Sequence, residues 1–221
     1  MSEEACCSER VVVVTGAGRG IGRAYAHALA RAGARVVVND LGVQPDGREA
    51  SSAPANEVVA EIEAMGGEAL AVPTDIATRS GADALIEQAV SRFGRVDAVI
   101  NNAGIDRPGM LVDLSEEDWD ANIDLNLKSV FLTCKEALPI MEAQGGGAIV
   151  NVASIAGMTY YGSDLIAYRA SKAGLVQFTR GVAMQYVQRG IRANTVIPGL
   201  MHTPLVAHRV AGQYHDGDLE K

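Results

Sequence analysis

The sequence predicts an α/β protein built on one doubly wound parallel sheet with helices on both faces. Short β-branched runs recur along the chain, VVVVT at 11–15, RVVVN at 35–39 and AIVNV at 148–152. They are apolar almost throughout, as strands buried on both faces must be. Helix-length stretches lie between them, alanine-rich or with apolar residues three and four apart. The strict alternation of the two kinds is the signature of strand–helix–strand units and hence of parallel pairing.

Composition narrows the function classes. A chain of 221 residues, 48% hydrophobic with 24 glycines, holds one sizeable core and fits a single domain. A net charge of -8 without any Lys/Arg cluster argues against a nucleic-acid partner, whose phosphates require basic stripes. Cys6, Cys7 and Cys134 are odd in number and the first two are adjacent, which argues against a disulfide framework and for a reducing compartment. Glu3 and Glu4 stand where a secretory signal wants positive charge, and no apolar run reaches the ~18 residues of a membrane span. No membrane partner and a cytoplasmic protein are therefore expected. His27, His202, His208 and His215 lack ligand spacing, so no metal site is expected.

The first strand, Arg10 to Thr15, runs into Gly16, Ala17, Gly18, Arg19, Gly20, Ile21 and Gly22 before a helical stretch, Arg23 to Ala32. Strand, glycine turn and helix in that order let backbone N–H groups approach a pyrophosphate, with the helix N-terminus adding partial positive charge. The spacing is Thr-Gly-x3-Gly-x-Gly, distinct from the Gly-x-Gly-x-x-Gly dinucleotide fingerprint. The second strand, Arg35 to Asn39, ends at Asp40, about twenty residues past the turn, where a carboxylate accepts hydrogen bonds from ribose hydroxyls. It would also repel a 2′-phosphate, which favours NAD over NADP, although Arg19 is placed to pair with such a phosphate. A plain turn role at the strand end is the competing reading of Asp40.

Leu41 to Ala53, with Gly42, Pro45 and Gly47, reads as a long loop. A helix from Pro54 to about Met65 and a third strand, Glu68 to Val72, follow, with Asp75 and Ile76 at the mouth of the sheet. Arg79 to Phe93 is an amphipathic packing helix. The fourth strand, Val96 to Ile100, ends in Asn101, Asn102, Ala103 and Gly104, small and amide residues at a ligand-binding sheet edge. Ser115 and Asp118 open a long helix to about Ala143 containing Asn126, an amide expected to be partly buried among Ile123, Leu125, Leu127 and Val130. Gly145 to Gly147 end it, and a fifth strand, Ala148 to Val152, delivers Ser154 to the sheet's carboxyl edge.

Tyr168 and Lys172 are four apart, so on a helix they share a face. A free tyrosine ionises near pH ~10, and a neighbouring cation favours the phenolate, making Tyr168 an acid or base for chemistry near neutrality. Ser154 is placed to hydrogen-bond the same substrate oxygen. Taken alone, such a pair is more often a packed ring beside a solvated charge.

The glycine turn, Asn101 to Gly104, Asn126, Ser154 and Tyr168-x3-Lys172 together resemble the short-chain dehydrogenase/reductase family in order and spacing, over roughly residues 10 to 204. The resemblance implies a Rossmann sheet and an NAD(P)-dependent oxidoreductase acting on a CH–OH group. It implies that Tyr168 is the catalytic acid/base, that Lys172 lowers its pKa and holds the nicotinamide ribose, and that Ser154 orients the substrate oxygen. Asn126 would fix a water that relays protons through Lys172. Asp75, Ile76 and Asn102 would contact the adenosine half, while Pro198, Gly199 and Thr203, after a sixth strand from Ile191 to Ile197, would lie beneath the nicotinamide. Relatives commonly pair through the helices equivalent to Glu117–Ala143 and Ala167–Gln188, so a homodimer or homotetramer is expected.

Two departures from the family pattern stand out. Thirteen residues separate Ser154 from Tyr168, one more than usual, which alters the loop around Tyr160, Tyr161 and Gly162. The chain also stops at Lys221, where relatives continue through a further helix and strand, and the polar tail from His208 has no strand pattern. This predicts a sheet lacking its last strand and an activity that belongs to a longer polypeptide. Met158, Tyr160, Tyr161, Leu165 and Met201 are expected to line a pocket for a small apolar alcohol or ketone, with a hydroxyacyl thioester or hydroxysteroid as alternatives. A nucleotide-binding scaffold without turnover is the competing class.

Overall fold

Four consecutive buried valines need apolar partners on both faces, and the computed structural model supplies them by stacking parallel strands between two helical layers. It describes residues 6–43, 51–160, 162, 164–201 and 203. The middle of the 41–53 loop, Glu3, Glu4, Tyr161, His202, His208, His215 and the predicted polar tail lie outside the described residues. The strands are β1 (Val11–Thr15), β2 (Arg35–Asn39), β3 (Glu68–Ala71), β4 (Ala98–Asn101), β5 (Gly147–Val152) and β6 (Ile191–Val196). They form one six-stranded sheet in the order β3-β2-β1-β4-β5-β6, with every neighbouring pair parallel. The doubly wound expectation therefore holds, with a topological switch between β1 and β4.

The helices are α1 (Gly20–Arg31), α2 (Ala53–Ala64), α3 (Arg79–Phe93), α4 (Glu116–Ile123), α5 (Ser129–Ala143) and α6 (Ile166–Tyr186). Side chains alternate across each strand, so β1 sends Val12 and Val14 one way and Val11 and Val13 the other. The first pair joins Ala26 of α1 and Ala55, Val58 and Ile62 of α2. The second joins Leu85 of α3, Met141 of α5 and Leu175 of α6. Each such side chain, fully buried, contributes roughly 1.5–3 kcal/mol relative to exposure.

Beyond shifts of one or two residues at element ends, the structure departs from the sequence reading in two places, each for a physical reason. Helix α1 begins at Gly20 rather than Arg23, because close packing of its first turn on β1 outweighs the poor helix propensity of Gly20 and Gly22. The single helix expected between Ser115 and Ala143 is broken by a π turn over Asp124–Lys128, where the Ser129 N–H reaches back five residues to Asp124 O. Its start is as expected, with the Asp118 N–H donating to Ser115 Oγ at 3.1 Å. Among the described residues, no helix is long and apolar enough to cross a membrane.

Candidate active site

The carboxyl ends of the strands open onto one cleft of about 540 Å³, where an open parallel sheet binds ligands. The glycine turn forms one wall: Gly16, Arg19, Gly20 and Ile21 line the cleft, with Gly18 and Gly22 behind it. A Cβ on Gly22 would lie 2.1 Å from Gly16 O, so only glycine lets α1 start against the strand. Thr78 caps α3 and Ser115 caps α4, but Arg19 gives α1 no side-chain cap. The first N–H groups of α1 are left uncapped at the edge of the cleft, which suits a phosphate.

Asp40 lines the same wall and also performs the turn role. One carboxylate oxygen accepts the Gly18 N–H and the other the Gly42 N–H, both at 2.7 Å. Arg19 lies beside it, donating from Nη1 to Val43 O at 2.9 Å. Asp75 and Ile76 line the cleft below, with Asp75 accepting the Ala77 N–H.

Between the walls run Asn102, Ala103 and Gly104. The Asn102 amide donates to Thr15 O at 3.0 Å and Gly16 O at 3.1 Å, tying the end of β4 to the glycine turn. Thr15 Oγ returns the favour by accepting the N–H groups of Asn102 and Ala103. Sequence reasoning singled out Asn102 and placed Thr15 at the head of the glycine motif without giving it this tie to β4, whose signal was a polar side chain closing a four-valine strand.

The second wall holds Ser154, Tyr168 and Lys172, with Pro198, Gly199, Met201 and Thr203 arriving from the end of β6. Ser154 Oγ accepts the Ala156 N–H at 3.1 Å, which starts a short turn and fixes the hydroxyl at the cleft. Lys172 is 4% exposed, donates to Val152 O at 2.9 Å, and sits 5.7 Å from the centre of the Tyr168 ring. Burial lowers its pKa to about 8. The pair expected from sequence spacing is thus brought together on α6. It joins a serine hydroxyl over one cleft, an arrangement competent for proton transfer at a carbon-bound oxygen.

Asn126 is fully buried, not partly, and stands behind the cleft. Its carbonyl oxygen accepts the Ile105 N–H and its amide donates to Ile105 O, both at 2.9 Å. One turn earlier Asn122 does the same for Arg107, at 3.4 and 3.3 Å. Four helical residues advance ~6 Å and two extended residues ~6.6 Å, so the two amides act as a surrogate strand for residues 105–107. Asn122 was missed by sequence reasoning, although its signal was present: a second asparagine four positions before Asn126. A Cβ on Gly104 would lie 2.7 Å from Asn126 Oδ1 and 3.4 Å from Lys172 Nζ, so this backbone threads between them.

Beneath the cleft, Thr133 donates to Asn101, Asn101 to Asn151 and Asn151 to Thr179, at 2.7, 2.8 and 2.8 Å. This buried chain joins α5, β4, β5 and α6. The expected substrate lining is corrected in part. Met201 lines the cleft, but Leu165 is core at 1% exposure, and Met158 and Tyr160 stand exposed rather than in the lining. Their loop is held from outside by Arg169, which donates to Thr159 O at 2.5 Å and stacks 4.7 Å from the Tyr160 ring centre.

A family model described as short chain dehydrogenase matches residues 10–213. The chain belongs to the short-chain dehydrogenase family. This short-chain dehydrogenase is 45% identical over 196 residues to a 3-oxoacyl-(acyl-carrier-protein) reductase of Synechocystis sp., a match covering 89% of this chain and 76% of the relative. It is 40% identical over 201 residues to a cyclohexanol dehydrogenase of Acinetobacter sp., covering 90% and 76%. Among solved structures, 7α-hydroxysteroid dehydrogenase complexed with NADH and 7-oxo glycochenodeoxycholic acid superposes with a TM-score of 0.86 at 31% identity, covering 96% of this chain and 81% of that one.

Proposed function

We propose that this short-chain dehydrogenase interconverts a secondary alcohol and a ketone using NAD(H). The observation that carries the reading is the buried Lys172 ammonium 5.7 Å from the Tyr168 ring on the wall that also presents Ser154. Tyr168 gives or takes the proton of the substrate hydroxyl. Lys172 favours the phenolate while it is charged. Ser154 donates a hydrogen bond to the same oxygen as negative charge develops there. The Asn126 side chain is committed to Ile105, so its part is to hold the 104–105 backbone beside Lys172, and any proton relay through this residue uses its main chain.

The uncapped start of α1 and the tightly packed glycine turn fit a dinucleotide, whose nicotinamide when bound supplies or accepts hydride. Gly16, Gly20 and Ile21 would hold its pyrophosphate, with Gly18 and Gly22 setting the turn. Asp40 would receive the ribose hydroxyls, and its charge favours NAD, while Arg19 leaves NADP as the lesser alternative. Asp75, Ile76 and Asn102 to Gly104 would face the adenosine half, and Pro198, Gly199 and Thr203 the nicotinamide. The relatives act on an acyl thioester, a cyclic alcohol and a steroid, and Met201 and Ile105 in the lining suit such an apolar carbon skeleton. We further propose a cytoplasmic homodimer or homotetramer, consistent with the buried free thiol of Cys134 and the exposed Phe131 of α5 and Met184 of α6.

A panel of secondary alcohols and ketones assayed with both NAD(H) and NADP(H) tests the reading. Turnover with NAD(H) is expected, with Tyr168→Phe lowering it by ~100-fold or more while cofactor binding persists. Near-normal turnover in that variant would reject the role.

A further inference from the structure

Cys6 and Cys7 precede β1 and stand apart from every role above. Their Sγ atoms are 3.9 Å apart. The pair is pinned in a turn: the Cys7 N–H donates to Ala32 O at 2.9 Å, and the Arg10 N–H donates to Cys7 O at 3.0 Å. Cys6 is exposed, and Cys7 is half-buried against the apolar cluster beneath α1 and α2. The two thiols therefore lie at the amino end of β1, across the sheet from the cleft.

Adjacency restricts what these sulfurs do with each other. A trans peptide holds neighbouring Cα atoms ~3.8 Å apart, below the ~4.4 Å at which unstrained disulfides begin. Direct closure would distort the backbone, whereas an atom bonded to both sulfurs enlarges the ring and removes the conflict. A pyramidal trivalent centre narrows the angle between two thiolates below the tetrahedral value, so its sulfurs stand closer than the about 3.8 Å of a tetrahedral pair. From the observed 3.9 Å separation, a small rotation of the exposed Cys6 side chain brings the two sulfurs within reach of one such atom. Structural zinc would want four donors, and among the described residues no three His, Cys, Asp or Glu side chains gather to hold a metal. A two-sulfur site suits a thiophilic centre that brings its remaining bond with it.

We propose that Cys6 and Cys7 form a chelating dithiol site for monosubstituted trivalent arsenic, the class R–As=O. Two As–S bonds form while the arsenic–oxygen bond and two S–H bonds break. The oxygen leaves as water carrying both thiol protons, and no electrons change hands. Cys134 does not compete, being single, fully buried and with its thiol pushed up to about 12 by that burial.

The test treats the reduced full chain with phenylarsine oxide and reads intact mass and peptide maps. One adduct per chain is expected at residues 6–7, released by ethane-1,2-dithiol at a concentration where 2-mercaptoethanol leaves it in place. Cys6→Ser and Cys7→Ser should each weaken binding more than tenfold, and the exposed position of Cys6 makes the first variant safe for folding. No adduct, an adduct that persists in Cys6→Ser, one mapped to Cys134, or one released equally by the monothiol would each overturn the assignment.

Discussion

Asp97 and Lys172 are the two charged side chains that are buried among the described residues, and they sit at opposite ends of the sheet. Asp97, at the amino end, is surrounded by donors. Arg95 reaches it at 2.7 and 2.8 Å, Arg10 at 3.0 Å and the Val11 N–H at 2.9 Å. Burial pushes its pKa up, but the Arg95 hydrogen bonds, the Val11 N–H and Arg10 together bring it below the usual carboxylate value. Lys172, at the carboxyl end, donates to Val152 O, and among the described residues no carboxylate stands within salt-bridge distance of it. Burial therefore lowers its pKa to about 8. The foot of the sheet compensates its charge and gains stability; the mouth leaves its charge under-compensated, the arrangement that the proposed chemistry would use.

Substitution at each end separates the two cases. Lys172→Met should lower turnover by ~100-fold, yet leave the fold as stable or more so near pH 7, because it removes a charge whose burial is unfavourable. The sign follows from linkage. A lowered lysine pKa means the unfolded chain binds more protons between about 8 and its ordinary 10.5, so Lys172 penalises folding below about 8 and the penalty fades as pH rises through that window. Denaturant midpoints of the two proteins should therefore converge toward pH 10.5; a gap that stays constant would contradict the burial account. Asp97→Asn should do the reverse, costing about 2 kcal/mol of stability with turnover per folded molecule unchanged. The parent's advantage over this variant is present above the ordinary carboxylate pKa and disappears as pH falls through the lowered one. Lost turnover in folded Asp97→Asn would break the contrast. The smallest effect is expected from Asn122→Ala, which frees the Arg107 backbone at the cleft without touching Lys172: KM for the carbon substrate should rise about fivefold with kcat held within about twofold. A fall in kcat alone would place Asn122 in the catalytic step instead.

Much of the site was readable because its chemistry is local. Tyr168 and Lys172 are one helical turn apart, and a four-residue spacing puts two side chains together whatever the rest of the chain does. The glycine turn was legible for the same reason, since strand, glycines and helix are contiguous. Asn126 was located but its surroundings were not. Its pair of hydrogen bonds to Ile105 spans 21 residues and depends on how the segment after β4 lies along the π turn that follows α4, which no periodicity reports. Leu165 was misassigned to the pocket because an apolar residue near a site looks alike whether it lines a cleft or fills a core. Arg169, next to Tyr168 in sequence, anchors the loop at Thr159, a contact ten residues away that no short-range spacing reports.

By itself the sequence determined the alternation of strands and helices, the parallel doubly wound sheet, and the identities of the groups at its carboxyl edge, all consequences of periodicities and short-range contacts. Only the tertiary structure decided which of those groups are under-compensated. Arg95 is a sequence neighbour of Asp97, but the meeting of Lys172 with Val152 O and of Arg10 with Asp97 joins residues that are far apart along the chain and adjacent only once the sheet has formed.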